Sequence, residues 1–363
     1  MLVAEVKGIG FPNKGAELLL NASMARLRDK NYKVCTEPYS SYDYKVAYPL
    51  YSKMRIGYRG FNCLAPFNLL PNYVRSRLGF IKPSEVNLIL DASGYAYGDP
   101  WTVSLAKNRL LQDSSACSKV ILPQSLGPFT TSEAQWVAKE IAKKCELIYA
   151  REKTGAKYFE EATGKKIKVV PDITFCLKAP KIEEERDVII IPNFQVEKRE
   201  GDSYVDVLTK LCEKLHLAGR SITILNHEGI KDKKISEKII RALEANNINV
   251  EYIEPQTGLD AKSIIANAKF VVTSRYHGLI SSLSSQVPCI AVGWSFKYDE
   301  AMALFDLNAP SKFDKADDIF DFVTSEDYTS IFSSEAYANK LKMVQEDVNA
   351  MWKEVFELAS DKN

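Results

Sequence analysis

Phe270-Val271-Val272-Thr273-Ser274-Arg275-Tyr276-His277-Gly278-Leu279-Ile280-Ser281-Ser282-Leu283-Ser284 sets a β-branched apolar run directly before a stretch of small and apolar residues. The run Phe270–Thr273 reads as a buried strand and residues 278–285 as a helix, joined by a short polar turn. A helix start presents unpaired N–H groups and the positive end of its dipole, so this turn suits an anion. Arg275 adds a forked donor. His277 is the side chain there able to exchange a proton near neutral pH. Tyr276 and Gly278 complete the turn. The next run, Cys289–Val292, leads into Gly293-Trp294-Ser295-Phe296-Lys297-Tyr298, where Lys297 can complete a cationic pocket.

The same strand-then-helix unit recurs outward in both directions. Upstream runs are Leu2–Val6, Tyr32–Cys35, Val86–Leu90, Lys119–Leu122, Leu147–Tyr149 and Ile167–Val170, with amphipathic segments near 15–29, 102–115, 132–144 and 152–162. A polar linker, Lys178 to Arg186, interrupts the pattern. It restarts with Asp187–Ile191, Ser221–Leu225, Asn249–Ile253 and the two runs above, separated by helical stretches near 203–218, 232–246 and 260–267. Alternation of this kind means parallel sheets with helices on both faces. The expectation is α/β: two doubly wound domains, 1–178 and 187–330, facing a cleft. Residues 331–363 hold a C-terminal helix with Leu341, Val344, Val348, Met351, Trp352 and Val355 on one side; such tails often pack back on the first domain. Residues 39–80 break the pattern. They are rich in Tyr39, Tyr42, Tyr44, Tyr48, Tyr51 and Tyr58, with Arg55, Arg59, Arg75 and Arg77, and read as an irregular insertion, either a lid over an acceptor or a flap on domain one.

Ligands of open parallel sheets bind beyond the carboxyl ends of strands. The first such junction runs Lys7-Gly8-Ile9-Gly10-Phe11-Pro12-Asn13-Lys14-Gly15, where Asn13 and Gly15 can approach a ligand. The second is Asp91-Ala92-Ser93-Gly94-Tyr95-Ala96-Tyr97-Gly98-Asp99. There Asp91 or Asp99 can act as base toward a sugar hydroxyl and Tyr95 can stack on a sugar, the alternative being that an Asp caps a helix. Pro123-Gln124-Ser125-Leu126-Gly127-Pro128 reads as a rigid loop after a strand. Arg151 sits just past a strand end, to bind an anion or pair with a carboxylate. His227, beside Glu228 after Ser221–Leu225, is a secondary candidate for binding substrate.

The chain has 363 residues, 46% hydrophobic and 26% charged, with a formal net charge of +1. That balance argues against a general nucleic-acid binder. No apolar run spans a bilayer, and the N-terminus lacks a signal peptide's basic start, so a cytoplasmic protein with peripheral membrane contact at most is expected. The seven scattered cysteines form no CxxC pair and read mostly as buried small hydrophobes, with no metal site.

Taken together, Asn13-Lys14-Gly15-Ala16-Glu17, Pro123-Gln124-Ser125-Leu126-Gly127-Pro128, Arg151-Glu152, Val170-Pro171-Asp172 and Ser274-Arg275-Tyr276-His277-Gly278 resemble the polysaccharide pyruvyl transferase family. The order and spacing match from near residue 5 to about residue 305. The resemblance implies a GT-B-like fold and transfer of pyruvate from phosphoenolpyruvate onto a sugar of a bacterial surface polysaccharide or its lipid-linked precursor, giving a cyclic ketal without a cofactor. It also implies that Arg275 binds the donor's phosphate or carboxylate and that His277 is the catalytic acid/base. Family members commonly carry three glycines where this chain has Ser93-Gly94-Tyr95-Ala96-Tyr97-Gly98. The competing reading is a sugar-nucleotide-dependent glycosyltransferase, with Arg275 and Lys297 on a diphosphate and Glu254 on a ribose.

Overall fold

The computed structural model describes residues 2–9, 13–37, 48–55, 57–58, 61–101, 103–111, 117–293, 295–308 and 315–360. Two compact units account for the chain. The first comprises Met1–Phe11, Leu19–Ile173 and Asp347–Asn363, the second Pro12–Leu18 and Thr174–Glu346.

The first unit is built on β1 (Val3–Lys7), β2 (Lys33–Thr36), β3 (Tyr51–Lys53), β4 (Gly57–Tyr58), β5 (Phe61–Asn62), β6 (Phe80–Ile81), β7 (Leu88–Asp91), β8 (Tyr95–Tyr97), β9 (Ser118–Leu126), β10 (Leu147–Ala150) and β11 (Lys168–Val169). Its main sheet has the order β11-β10-β9-β7-β1-β2-β3-β6, all parallel, with β8 also against β9. Val3, Ile89, Ile121 and Ile148 meet Val137, Ala138 and Ile141 of the helix Ser132–Lys144 in one apolar core. That helix starts cleanly because Thr131 accepts a bond from the Ala134 N–H at 3.2 Å.

Two sequence expectations change here. Residues 39–80 are not wholly irregular: β3 and β6 extend the sheet, and β4 with β5 forms a small antiparallel ribbon. Tyr39, Tyr42, Tyr44 and Arg59 lie outside the described residues. The segment after Leu122 is not a loop either, since β9 runs on to Leu126. Pro123 has no N–H to donate, and the pairing slips there, from Ile148 opposite Ile121 to Ala150 opposite Gln124. An extra residue in one strand is how a parallel ladder accommodates a proline. Of the cysteines, Cys35, Cys145, Cys212 and Cys289 are buried, while Cys63 is exposed.

The second unit holds β12 (Arg186–Ile191), β13 (Ile222–Leu225), β14 (Glu251–Ile253), β15 (Ala268–Thr273) and β16 (Cys289–Ala291) in the order β14-β13-β12-β15-β16, again all parallel. The central pair β12 and β15 is almost wholly apolar where it is buried, Val188 to Ile191 against Phe270 to Val272, as a sheet covered on both faces requires. The long helix Glu335–Ser360 adds Tyr337, Leu341 and Val344 to this core. Farther along that helix, within the first unit, Glu354 accepts bonds from Tyr149 and Lys168 at 2.8 and 2.9 Å. No described helix is long and apolar enough to cross a membrane.

Candidate functional site

Strand order reverses between β12 and β15, and at such a reversal neighbouring loops leave in opposite directions and open a crevice. The turn after β15 therefore sits where ligands of this architecture bind. Ser274 is fixed there from several sides. Its carbonyl accepts from Asn193 Nδ2 and from the Tyr298 hydroxyl, both at 2.7 Å. Its own hydroxyl accepts from Tyr204 at 2.7 Å, and Tyr204 in turn accepts from the Asn193 N–H at 3.0 Å. Burial pushes the Tyr204 phenol up, so it stays protonated as a donor. Gly278 lets the following helix, Tyr276–Ser284, approach the sheet: a Cβ there would lie 2.4 Å from Thr273 Oγ1.

On this rigid floor Arg275 caps the helix and turns its guanidinium onto the helix Gly229–Glu244. Its Nε and Nη2 form a fork with Asp232, at 2.7 and 2.5 Å, and Nη1 bonds Glu228. Among the described residues three of its five N–H groups are thus used, and two remain for a ligand. Burial brings Arg275 down to about 10 and pushes Asp232 up to about 7, the latter opposed by the Phe194 N–H at 3.0 Å. The bidentate fork favours the doubly ionised pair.

Residues from the start of the chain complete the group. Asn13 donates to Glu228 at 2.9 Å, and Lys14 donates to the Gln256 carbonyl at 2.7 Å. Gly15 lies against the imidazole of His277, so closely that a Cβ would be 2.3 Å from Nδ1. The Tyr276 ring meets His277 edge-on at 5.6 Å, and the Lys297 ammonium lies over the rings of Tyr276 and Tyr298 at 5.8 and 5.3 Å. His227 is 2% exposed, and its Nε2 has no hydrogen-bond partner among the described residues. Burial first, then the charges of Arg275, His277 and Lys14, hold its pKa well below the ordinary histidine value. It is a neutral imidazole.

The second unit therefore brings together Asn13, Gly15, His227, Arg275, Tyr276, His277, Gly278 and Lys297. Trp294 lies outside the described residues. Sequence reasoning missed Asp232, Asn193, Tyr204 and Tyr298 as supports. Asn193 follows a strand end and was findable on that ground. Asp232 stands in Lys231-Asp232-Lys233, a pattern that reads as an ordinary solvent face.

The remaining candidates belong to the first unit. Asp91 is fully buried at the end of β7. Its Oδ1 accepts from the Ser93 N–H at 3.0 Å and from the Ser93 hydroxyl, and its Oδ2 from Tyr97. Among the described residues these bonds take three of the carboxylate's roughly four acceptor positions, so one lone pair on Oδ2 remains for a proton. Asp99 clamps the chain before the helix Ser132–Lys144, accepting from Thr130 N at 2.8 Å and Oγ1 at 2.6 Å, and from Thr131 N at 3.1 Å. Burial works against it, but these bonds hold its carboxyl below the usual range. Tyr95 donates to the Gly127 carbonyl at 3.1 Å and meets Trp101 edge-on. Arg151 is buried and engaged by Glu152 at 2.8 Å, Asp172 at 3.0 Å and Ser125 at 2.8 Å. Among the described residues, no three His, Cys, Asp or Glu side chains are grouped as a metal ion would need them.

A family model described as polysaccharide pyruvyl transferase matches residues 13–295. No curated protein matches the chain. Among solved structures, HepE of Anabaena in complex with UDP and glucose is 14% identical, with a TM-score of 0.64 over 99% of this chain and 100% of that one. MnaA of S. aureus with UDP is 12% identical, TM-score 0.58, over 98% and 97%. The UDP-GlcNAc 2-epimerase of Methanocaldococcus jannaschii is 12% identical, TM-score 0.55, over 97% and 99%. At these identities the likeness is one of fold: GT-B, with two Rossmann-type units.

Proposed function

Because the chain belongs to the polysaccharide pyruvyl transferase family, we propose that it moves a pyruvyl group from phosphoenolpyruvate onto two hydroxyls of one acceptor sugar. The acceptor is a bacterial surface polysaccharide or its lipid-linked oligosaccharide precursor, and the product is a cyclic ketal. The observation that carries this reading is the imidazole of His277 at a helix start, with Lys14, Arg275 and Lys297 on the same unit.

Phosphoenolpyruvate is a small, dense anion with an electron-rich methylene. Protonation of that carbon by His277 leaves an oxocarbenium-like centre at the neighbouring carbon. One sugar hydroxyl adds there, and the second displaces phosphate. Of the two hydroxyl protons released, one restores His277 and the other leaves with the phosphate. Cations and helix N–H groups stabilise the donor and the charge that develops on the leaving phosphate. Asp91 keeps a lone pair on Oδ2 beyond its bond from Tyr97 and is the candidate base toward the sugar hydroxyl. The sugar-nucleotide alternative needs a carboxylate for ribose; its candidate, Glu254, is exposed and pairs with Lys233 at 3.1 Å.

Calorimetry with phosphoenolpyruvate and with a panel of nucleotide sugars tests the donor, together with phosphate release in the presence of extracted lipid-linked oligosaccharide. Heat with phosphoenolpyruvate, and phosphate formed one-for-one with ketal, is the expected result. Heat with a nucleotide sugar alone would overturn it. Gly15→Ala offers an independent check. The added methyl must push the His277 ring aside, and displacement of about 1 Å typically costs on the order of 10²-fold in rate. Turnover should drop on that scale, with overpacking lowering stability by about 1–3 kcal/mol; an unchanged kcat in the folded variant would separate Gly15 from the chemistry.

A further inference from the structure

Leu69, Tyr73 and Leu78 are 89%, 71% and 57% exposed. Among the described residues, no other ten-residue stretch holds more than one large apolar side chain so exposed. All three flank or lie on the short helix Asn72–Arg77. Arg75 is buried, donating to Glu85 at 2.7 and 2.8 Å and to the Leu70 carbonyl at 3.1 Å, while Tyr73 faces solvent. Arg77 is exposed one turn beyond Tyr73. Between Asp43 and Glu85 the sequence has no acidic residue and seven basic ones, of which Lys53 and Arg75 are buried in ion pairs with Glu5 and Glu85, although the whole chain is near neutral at +1.

We propose that this surface docks the first unit on an anionic lipid bilayer, with Leu69, Tyr73 and Leu78 in the headgroup boundary and Arg77 against the lipid phosphates. Apolar and aromatic side chains beside basic ones are the composition of interfacial anchors. A positive segment on a neutral protein is complementary to an anionic leaflet. Docking of this kind would place the enzyme where a lipid-linked acceptor lies; that rationale rests on the proposed reaction, whereas the binding itself does not.

The test is flotation of the full chain with vesicles of three parts phosphatidylcholine to one part phosphatidylglycerol, and with phosphatidylcholine alone. Wild type should float with the anionic vesicles and much less with the neutral ones. Leu69→Ser/Tyr73→Ser/Leu78→Ser should lower partitioning about tenfold or more, and Arg77→Glu by about tenfold at low salt. Both variants should melt like wild type and turn over a soluble sugar acceptor normally, so loss of docking and loss of the transferase reading are told apart. Wild type that stays out of the anionic vesicles, or a triple variant that floats equally well, overturns the proposal. So does a concentration-dependent dimer that the triple variant abolishes, which would assign the face to a second copy of the chain.

Discussion

His277→Ala is expected to lower pyruvyl transfer by about 10²–10⁴-fold, the range for a positioned general acid or base. Donor affinity should change far less, because the proton moves only on the way to the transition state. The ring is held by packing, with Gly15 on one side and the edge of Tyr276 on another. A purely bracing role would therefore survive replacement by another planar polar group. His277→Asn and His277→Gln test this directly: both hydrogen-bond, and neither exchanges a proton near neutrality. Single-turnover phosphate release should fall as far in these variants as in the alanine variant. A folded Asn or Gln variant with near-normal turnover would remove His277 from the chemistry.

The second large effect is on stability. Arg275→Ala leaves Asp232, whose side chain is 0% exposed, without its forked partner. Breaking a buried ion pair by removing one member typically costs about 3–5 kcal/mol. Urea denaturation should show a loss of that order at pH 8. The loss should shrink on acidification. Burial sets the folded Asp232 carboxyl toward about 7, above its ordinary value of 3.8, so the folded variant takes up a proton before the unfolded chain does. Below about pH 7 the unpaired charge is removed and stability returns; above it the full deficit stands. Arg275→Met with Asp232→Leu, which removes both charges, should recover much of the loss. Arg275→Lys keeps the charge without the fork, and in calorimetry should still weaken phosphoenolpyruvate binding by about 1.5–3 kcal/mol, the scale of a charge-assisted contact. An Arg275→Ala variant as stable as wild type at pH 8 would show that the fork supports nothing.

Much of the architecture was legible because buried parallel strands are continuous apolar runs. Val188 to Ile191 and Phe270 to Thr273 announce themselves, and their boundaries lie within two residues of the observed β12 and β15. Strands such as β3, β6 and β8 carry no such signal. They are two or three residues long, and their place comes from a neighbouring strand's open edge rather than from their own composition. Pro123 misled for a local reason: it ends most strands, but here its own strand takes up an extra residue opposite β10 and runs on. In the site, Arg275 and His277 were readable because a strand-to-helix turn gives polar residues few other purposes. Asp232 and Tyr204 were not, since each sits on a helix whose pattern says only which face is apolar, and their partner on β15's turn is far away in sequence.

The contact of Gly15 with His277 bears on how the molecule can be taken apart. Asn13, Lys14 and Gly15 belong to the second unit although they precede almost all of the first in sequence. A fragment beginning at the linker would carry the imidazole, the arginine and the sheet, yet lack the backbone that walls the ring and the side chain that steadies Glu228. Chimeras joined at that linker would inherit the two parts of one pocket from different parents. Exchange of C-terminal halves between relatives is therefore expected to transplant a fold without its chemistry, unless the few residues after β1 are exchanged with it.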